Sequence, residues 1–346
     1  MAAVITASNV LCAGGRGTEQ LWATVRAGIS CIRRSSVIDR NFDAISMGLV
    51  PEDALPPLPP ELESKPLPAS VRRMLRLAAP TLSALLEDAG VQGTVSVFLG
   101  LPELDPSAFP WGDDFMRHLA SFANKPVDLE LSRIFPAGRA AALKALEAAL
   151  VHLTQSPGAA VVVGGVDTFF NARRIAQLDF EQRILGPQIM DGFIPGEGAA
   201  FYILMNEGSE AGGSPAVKIQ AAASSEDPGH RYGTDPALGQ GLGEAIDKLR
   251  AELSGTPRVR NIFAAFNGEN FEAKLWGVAR LRHSDFFLPD AIMQHPADCI
   301  GDSGAASGAL LVALAAHALS SCQREGSTLV WAASDREPRA CALLNS

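Results

Sequence analysis

The stretch "DGFIPGEGAAFYILM" (residues 191–205) sets Gly192, Gly196 and Gly198 directly ahead of an unbroken apolar run. Glycine accepts turn conformations and close backbone approach, so this reads as a glycine-marked turn feeding a buried strand. A phosphate-cradling loop would need a lysine and a following helix. Neither is present, which excludes that use. Just upstream, "AAVVVGGVDTFF" (159–170) is continuously apolar, as expected of a central strand covered on both faces.

Further upstream, "FPAGRAAALKALEAAL" (135–150) is a proline–glycine turn that runs into an alanine-rich helix. That helix is apolar on nearly every side except Lys144, Glu147 and His152, so it is expected to be mostly buried. The unpaired N–H groups and the dipole of such a helix start suit an activated nucleophile. The residue at the tip, however, is Arg139, with no Ser or Cys beside it.

Nearer the N-terminus, residues 2–11 read as a buried strand and 17–28 as a helix with Thr18 as its N-cap. The proline-rich 51–68 reads as an extended surface excursion. Residues 70–90 read as a helix ending at Gly90, 94–101 as a strand and 113–123 as a short helix. After a loop at 206–215 a similar rhythm returns: a strand at "AVKIQAAASS", a helix at "GLGEAIDKLRAEL", a strand at "VRNIFAAFNG" and a helix at "FEAKLWGVARLR". Then "GDSGAASGALLVALAAHALSS" (301–321) repeats the small-residue turn and apolar helix, and 327–344 closes with two strands. The repetition predicts a duplicated α/β unit, 1–205 and 206–346, whose two buried helices pack together in one compact αβαβα body.

The bulk numbers fit that size. The chain has 346 residues, 47% hydrophobic and 19% charged, enough for a substantial core. No run of eighteen apolar residues is present to span a membrane. The first residues lack a basic segment before their apolar stretch, so they read as a strand rather than a signal peptide. Five cysteines without CxxC spacing argue against a zinc site or disulfide framework and for reduced, cytoplasmic thiols; no metal or cofactor is expected. Cys12, Cys322 and Cys341 read as small buried hydrophobes and Cys31 as a loop residue. A net charge of −9 argues against a broad nucleic-acid footprint. The pairs Arg33–Arg34 and Arg173–Arg174 and the cluster Arg72, Arg73 and Arg76 read as solvated faces, or as contacts for an acidic partner such as a carrier protein.

Together these segments resemble the β-ketoacyl synthases of the thiolase superfamily. "VITASNVLCAGGRGTEQLWATVRAGISCI" resembles the family's opening strand, loop and helix, "VVVGGVDTFF" its central strand, and "DGFIPGEGAAFYIL" its Asp-Gly-Phe, Gly-Glu-Gly-Ala hairpin. "CIGDSGAASGALLVALAAHAL" resembles the segment that carries a catalytic histidine. The resemblance implies the thiolase-like fold, a homodimer and, for Glu197, a structural carboxylate at the floor of the site. It also implies a mechanism in which a cysteine at the first buried helix is acylated from a thioester and two histidines and a lysine support decarboxylative condensation.

Carried over residue by residue, that machinery is substituted. Arg139, or Gly138 after a one-residue slip, stands at the cysteine position, Asn267 at the first histidine, Asp302 at the second, Cys299 at the motif's asparagine and Ala297 at its lysine. The glycine-rich turn expected near the C-terminus is replaced by "AASDREPRA". An arginine cannot serve as a nucleophile. Arg139, Glu269, Asn270, Cys299 and Asp302 remain as a candidate ligand or structural site, with Arg139 pairing Asp302, Glu269 or a ligand. His295 is too far along an extended segment to act as a base for Cys299. The resemblance therefore implies an adaptor, chaperone-like or partner subunit acting by binding, in lipid or polyketide synthesis or beside a bacterial secretion-system toxin. The alternative is a divergent acyl-thioester enzyme with a rebuilt site. The partners implied are a carrier protein, an active ketosynthase or a secreted effector.

Overall fold

Apolar and β-branched runs form the strands, and 3.6-residue periodicity forms the helices. The computed structural model describes residues 3–91, 93–103, 113–156, 158–208 and 217–346, so most of the loop expected at 206–215 lies outside the described residues. The first run of elements is β1 (Ala3–Cys12), β2 (Gly15–Arg16), α1 (Thr18–Arg26), β3 (Arg33–Ile38), β4 (Ala44–Met47), α2 (Pro60–Glu63), α3 (Ala69–Asp88), β5 (Ser96–Leu101), α4 (Asp113–Ala123), β6 (Arg133–Pro136), α5 (Ala141–Gln155), β7 (Ala160–Thr168), α6 (Ala172–Phe180) and β8 (Glu197–Asn206). The second is β9 (Val217–Glu226), α7 (Gln240–Glu252), β10 (Val259–Ala264), α8 (Asn270–Arg282), β11 (Phe287–Gln294), α9 (Ala297–Ile300), α10 (Ser307–Ser320), β12 (Thr328–Ala333) and β13 (Pro338–Asn345).

The large sheet has the order β11-β10-β12-β13-β9-β1-β8-β7-β5-β6, with β2 against β1, while β3 and β4 form a separate hairpin. Counting its long strands, each run follows one order: third, second, fourth, fifth, first. In each run the fifth strand is antiparallel to both neighbours, and the second strand is parallel to the third and the fourth. Helix α5 packs on β5 and β7 on one side and on β9 and β13 on the other, and α10 packs on β8 and β7 and on β12 and β10. Helices α3 and α4 cover the outer face of the first set of strands, and α7 and α8 that of the second. The protein is a mixed α/β, thiolase-like fold of five layers with two buried central helices.

The turns opening α5 and α10 approach the strands without room for a side chain. A Cβ on Gly100 of β5 would lie 2.7 Å from the Ala142 nitrogen, and one on Gly165 of β7 would lie 2.4 Å from the Ala305 carbonyl oxygen. This is why a central strand carries glycines amid valines.

Some sequence expectations change. Thr18 is not the N-cap: Gly17 holds that position at φ 92°, and the buried Thr18 hydroxyl lies 3.0 Å from Ser8 Oγ instead. Residues 51–68 are not simply an extended surface excursion, because Leu55 and Leu62 are buried against α3 and Pro60–Glu63 is helical. The Arg72–Arg76 cluster is no solvated face. Arg73 is buried and grips Glu197 at 2.6 and 2.7 Å, while Arg72 and Arg76 bond carbonyls of the proline-rich segment. Cys322 is exposed, not a buried hydrophobe, because it sits in the turn after α10 at φ 52°.

Candidate functional site

Both buried helices begin with the same local device: a left-handed glycine, one 3-10 turn, then the helix. Gly138 (φ 59°) leads into 138–140 and α5, and Gly304 (φ 54°) into 304–306 and α10. Arg139 lies one residue into the first turn and is only 3% exposed. Its Nε donates to Asp302 Oδ2 at 2.7 Å, and its Nη2 lies 2.5 Å from the same oxygen, too oblique for a hydrogen bond. Its Nη1 donates to Asp335 Oδ1 at 3.0 Å, and Glu272 lies 3.8 Å away.

The same carboxylates gather two more arginines. Arg183 donates to both oxygens of Glu269 at 2.9 and 2.8 Å and to both of Asp335 at 3.1 and 2.9 Å. Arg231 lies 2.9 Å from Glu269 and 3.4 Å from Asp335. The Asn267 amide bridges Glu269 at 3.1 Å and Asp302 at 3.0 Å, and its backbone N–H donates to Glu272 at 2.9 Å. Phe193, from the glycine-marked turn ahead of β8, lies beneath both the Arg139 and Arg183 guanidiniums at 5.4 and 5.3 Å.

Burial and charge pull on these groups in opposite senses. Burial disfavours the Arg139 cation, but Asp302, Asp335 and Glu272 together hold its pKa well above the usual arginine value. Burial pushes the Asp335 carboxyl up, yet Arg139, Arg183 and Arg231 outweigh it and hold the group well below the usual carboxylate range. Glu272 goes the other way. Burial, seconded by Asp302 and opposed by Arg139, pushes its carboxyl up to about 8. At neutral pH the raised value favours the protonated form of Glu272.

Of the residues singled out in the sequence, Arg139, Asn267, Glu269 and Asp302 meet in this network, with Glu269 bonded to Arg183, Arg231 and Asn267 rather than to Arg139. Asn270 is exposed, and its N–H donates to Asp191 Oδ1 at 2.8 Å. Cys299 is absent from the network, and its segment is not extended as the sequence suggested but is the helical turn α9. His295 binds Asp298 at 2.9 Å, and burial raises the Cys299 pKa, so the thiol is held protonated. Glu197 lies apart, fully buried under Arg73 and Thr168. Sequence reasoning missed Arg183, Arg231, Glu272 and Asp335. The signal for Asp335 was present in "AASDREPRA", where a charged run replaces the expected glycines.

A cleft of about 400 Å³ opens beside this network, lined by Met74, Glu103, Arg139, Phe169, Arg174 and Tyr232 among others. Arg174 donates to the buried Asp167 at 2.6 Å and lies 3.6 Å over the Phe169 ring. No cysteine or histidine lines the cleft among the described residues. The arrangement can hold charged or polar groups, but among the described residues it sets no thiol beside a base and no pair of imidazoles in the cleft.

The fold recurs in solved ketosynthases. The ketosynthase from module 6 of the bacillaene synthase of Bacillus subtilis aligns at TM-score 0.77 and 14% identity, over 99% of this chain and 72% of that one. The oxazolomycin ketosynthase domain of Streptomyces albus aligns at 0.75 and 16%, over 100% and 75%. The ishigamide ketosynthase/chain length factor aligns at 0.70 and 19%, over 100% and 99%. A further match is a type II polyketide synthase ketosynthase in complex with its acyl-carrier protein, at 0.75 and 15%. No protein-family model and no curated protein matches the sequence. Among the described residues, no helix is long and apolar enough to cross a membrane.

Proposed function

We propose that this is a ketosynthase-fold protein without condensing chemistry, which acts by binding a protein partner. The observation that carries the reading is the pairing of Arg139 with Asp302. Two positions that match the nucleophile and a catalytic histidine of the resembling family hold a buried ion pair, and Asp335 and Arg183 extend it. Breaking such a pair strands an uncompensated charge, so the residues support each other more readily than they support turnover. The chain length factor and carrier-protein complex among the structural matches favour a partner-subunit or adaptor role. A secreted toxin is the alternative client. Residues 1–205 and 206–346 act in this reading as two thiolase-like halves of one unit, and the unit forms a homodimer.

The test is to incubate purified protein with malonyl and acyl thioesters of coenzyme A and of a carrier protein. Coenzyme A release and covalent mass change are then followed. The expected outcome is neither turnover nor a stable acyl adduct. Turnover lost on Asn267→Ala or Asp302→Ala, in folded variants, would establish the competing reading of a rebuilt acyl-thioester enzyme.

A further inference from the structure

Two thiols from separate elements, Cys31 and Cys299, are joined through their backbones close to the segment that carries Asp302. Cys31 lies in the irregular link between α1 and β3, Cys299 on the short helix α9 and Cys12 at the end of β1. The Cys31 backbone N–H donates to the Cys299 carbonyl at 2.7 Å. A bond of that length sets the two Cα atoms about 5–6 Å apart, within the span a disulfide bridges. The Cys31 side chain is half-buried, and its Sγ has only a weak contact, 3.9 Å, to the Ile29 carbonyl. Burial, then Asp298 and the Cys31 thiol, push the Cys299 thiol up. Cys12 also feels Cys31, but it is fully buried and its backbone is fixed in ladders to Gly198 and Gly15.

We propose that Cys31 and Cys299 are a thiol-oxidation site that closes to a reversible disulfide with a small-molecule disulfide such as oxidised glutathione as oxidant. The more exposed Cys31 thiolate attacks the oxidant, its S–S bond breaks, and one glutathione leaves as thiolate. Cys299 then loses its proton and attacks the Cys31 sulfur of the mixed disulfide. The Cys31–Cys299 bond forms and the second glutathione leaves. Two protein thiols are oxidised and one small disulfide is reduced to two thiols. The raised Cys299 pKa makes the second step the slower one. Closure ties the α1–β3 link to α9, three residues ahead of Asp302 and its bond to Arg139.

The test equilibrates the full chain in glutathione buffers of graded ratio and maps it by non-reducing mass spectrometry. The expected result is a loss of two hydrogens and a linked peptide joining Cys31 to Cys299, reversed by a dithiol. Cys299→Ser should trap a glutathione adduct at Cys31, and Cys31→Ser should give neither product. The wild-type map decides even if the Cys299 variant fails to fold. A wild-type chain that stops at the Cys31 adduct, a Cys31–Cys12 linkage, or no modification at the most oxidising ratio would overturn the proposal.

Discussion

The turns opening α5 and α10 share one backbone design and differ at one side chain. Both start with a left-handed glycine and one 3-10 turn, but the next residue is Arg139 in the first and Ala305 in the second. At the Ala305 turn the chain is tightly buried, and the Ala305 N–H donates to Asp167 Oδ2 at 2.9 Å. In the Arg139 turn the Ala140 N–H donates to Ser334 Oγ at 3.0 Å, and the arginine reaches across to Asp302 and Asp335. One frame thus serves packing at one end and a charge clamp at the other. What sets the role is the residue in the second position, not the backbone that presents it.

The largest test of this contrast is Arg139→Ala, which leaves Asp302 with only neutral partners in a buried site. It should cost about 3–5 kcal/mol in chemical denaturation. The double variant Arg139→Met/Asp302→Asn, which removes both charges, should recover most of that loss. A single variant as stable as the parent would mean the clamp does no structural work.

A smaller effect separates the two glycines. A Cβ on Gly304 would lie 1.9 Å from Asp167 Oδ2, whereas one on Gly138 meets the flexible Glu103 side chain at 2.9 Å. Both positions carry the left-handed cost of about 1–2 kcal/mol for a non-glycine residue. Gly304→Ala should add roughly 1–3 kcal/mol for the clash, and Gly138→Ala little more than the conformational cost. Equal thermal shifts for the two variants would break the distinction between a tight turn and an accommodating one.

The smallest effect, read per pH unit, is a slope of stability with pH. The folded Glu272 carboxyl titrates near 8, above its ordinary value of 4.5, so folding favours its protonated form. Its contribution is complete below the ordinary value and is lost as pH rises through the folded one. Across that window it should lower stability by up to ~1.4 kcal/mol per pH unit. Glu272→Gln should flatten this slope in denaturation curves taken at several pH values. Asp335 acts in the opposite sense: its lowered pKa contributes stability above the ordinary carboxylate range that is lost on acidification.

The layers were legible because small-residue turns and unbroken apolar runs are local signals. "AAVVVGGVDTFF" and the two alanine-rich helices announce burial within their own residues. The β3–β4 hairpin was not legible, since both strands are short and β3 is largely exposed. Helix α6 escaped for a related reason, with Ile175 and Leu178 its only buried residues. In the site, the substituted positions Arg139, Asn267 and Asp302 could be placed by resemblance. Their partners could not, because Arg183, Arg231 and Asp335 reach the cluster from separate loops, and only the tertiary fold sets those pairings.

One ladder of the large sheet joins the strands before residue 206 to those after it, among the described residues: Ala3–Ile5 of β1 against Val217–Ile219 of β9. Three rungs at the start of a strand are a thin seam. Helices α5 and α10, each touching both sets of strands, carry far more of the shared surface. Amide hydrogen exchange should therefore separate the two kinds of connection. The seam can fray by local opening, while the α5 and α10 amides exchange only when the whole molecule unfolds. Cooperativity in this fold resides in its buried helices, and the sheet that looks continuous is the weaker bond between its parts.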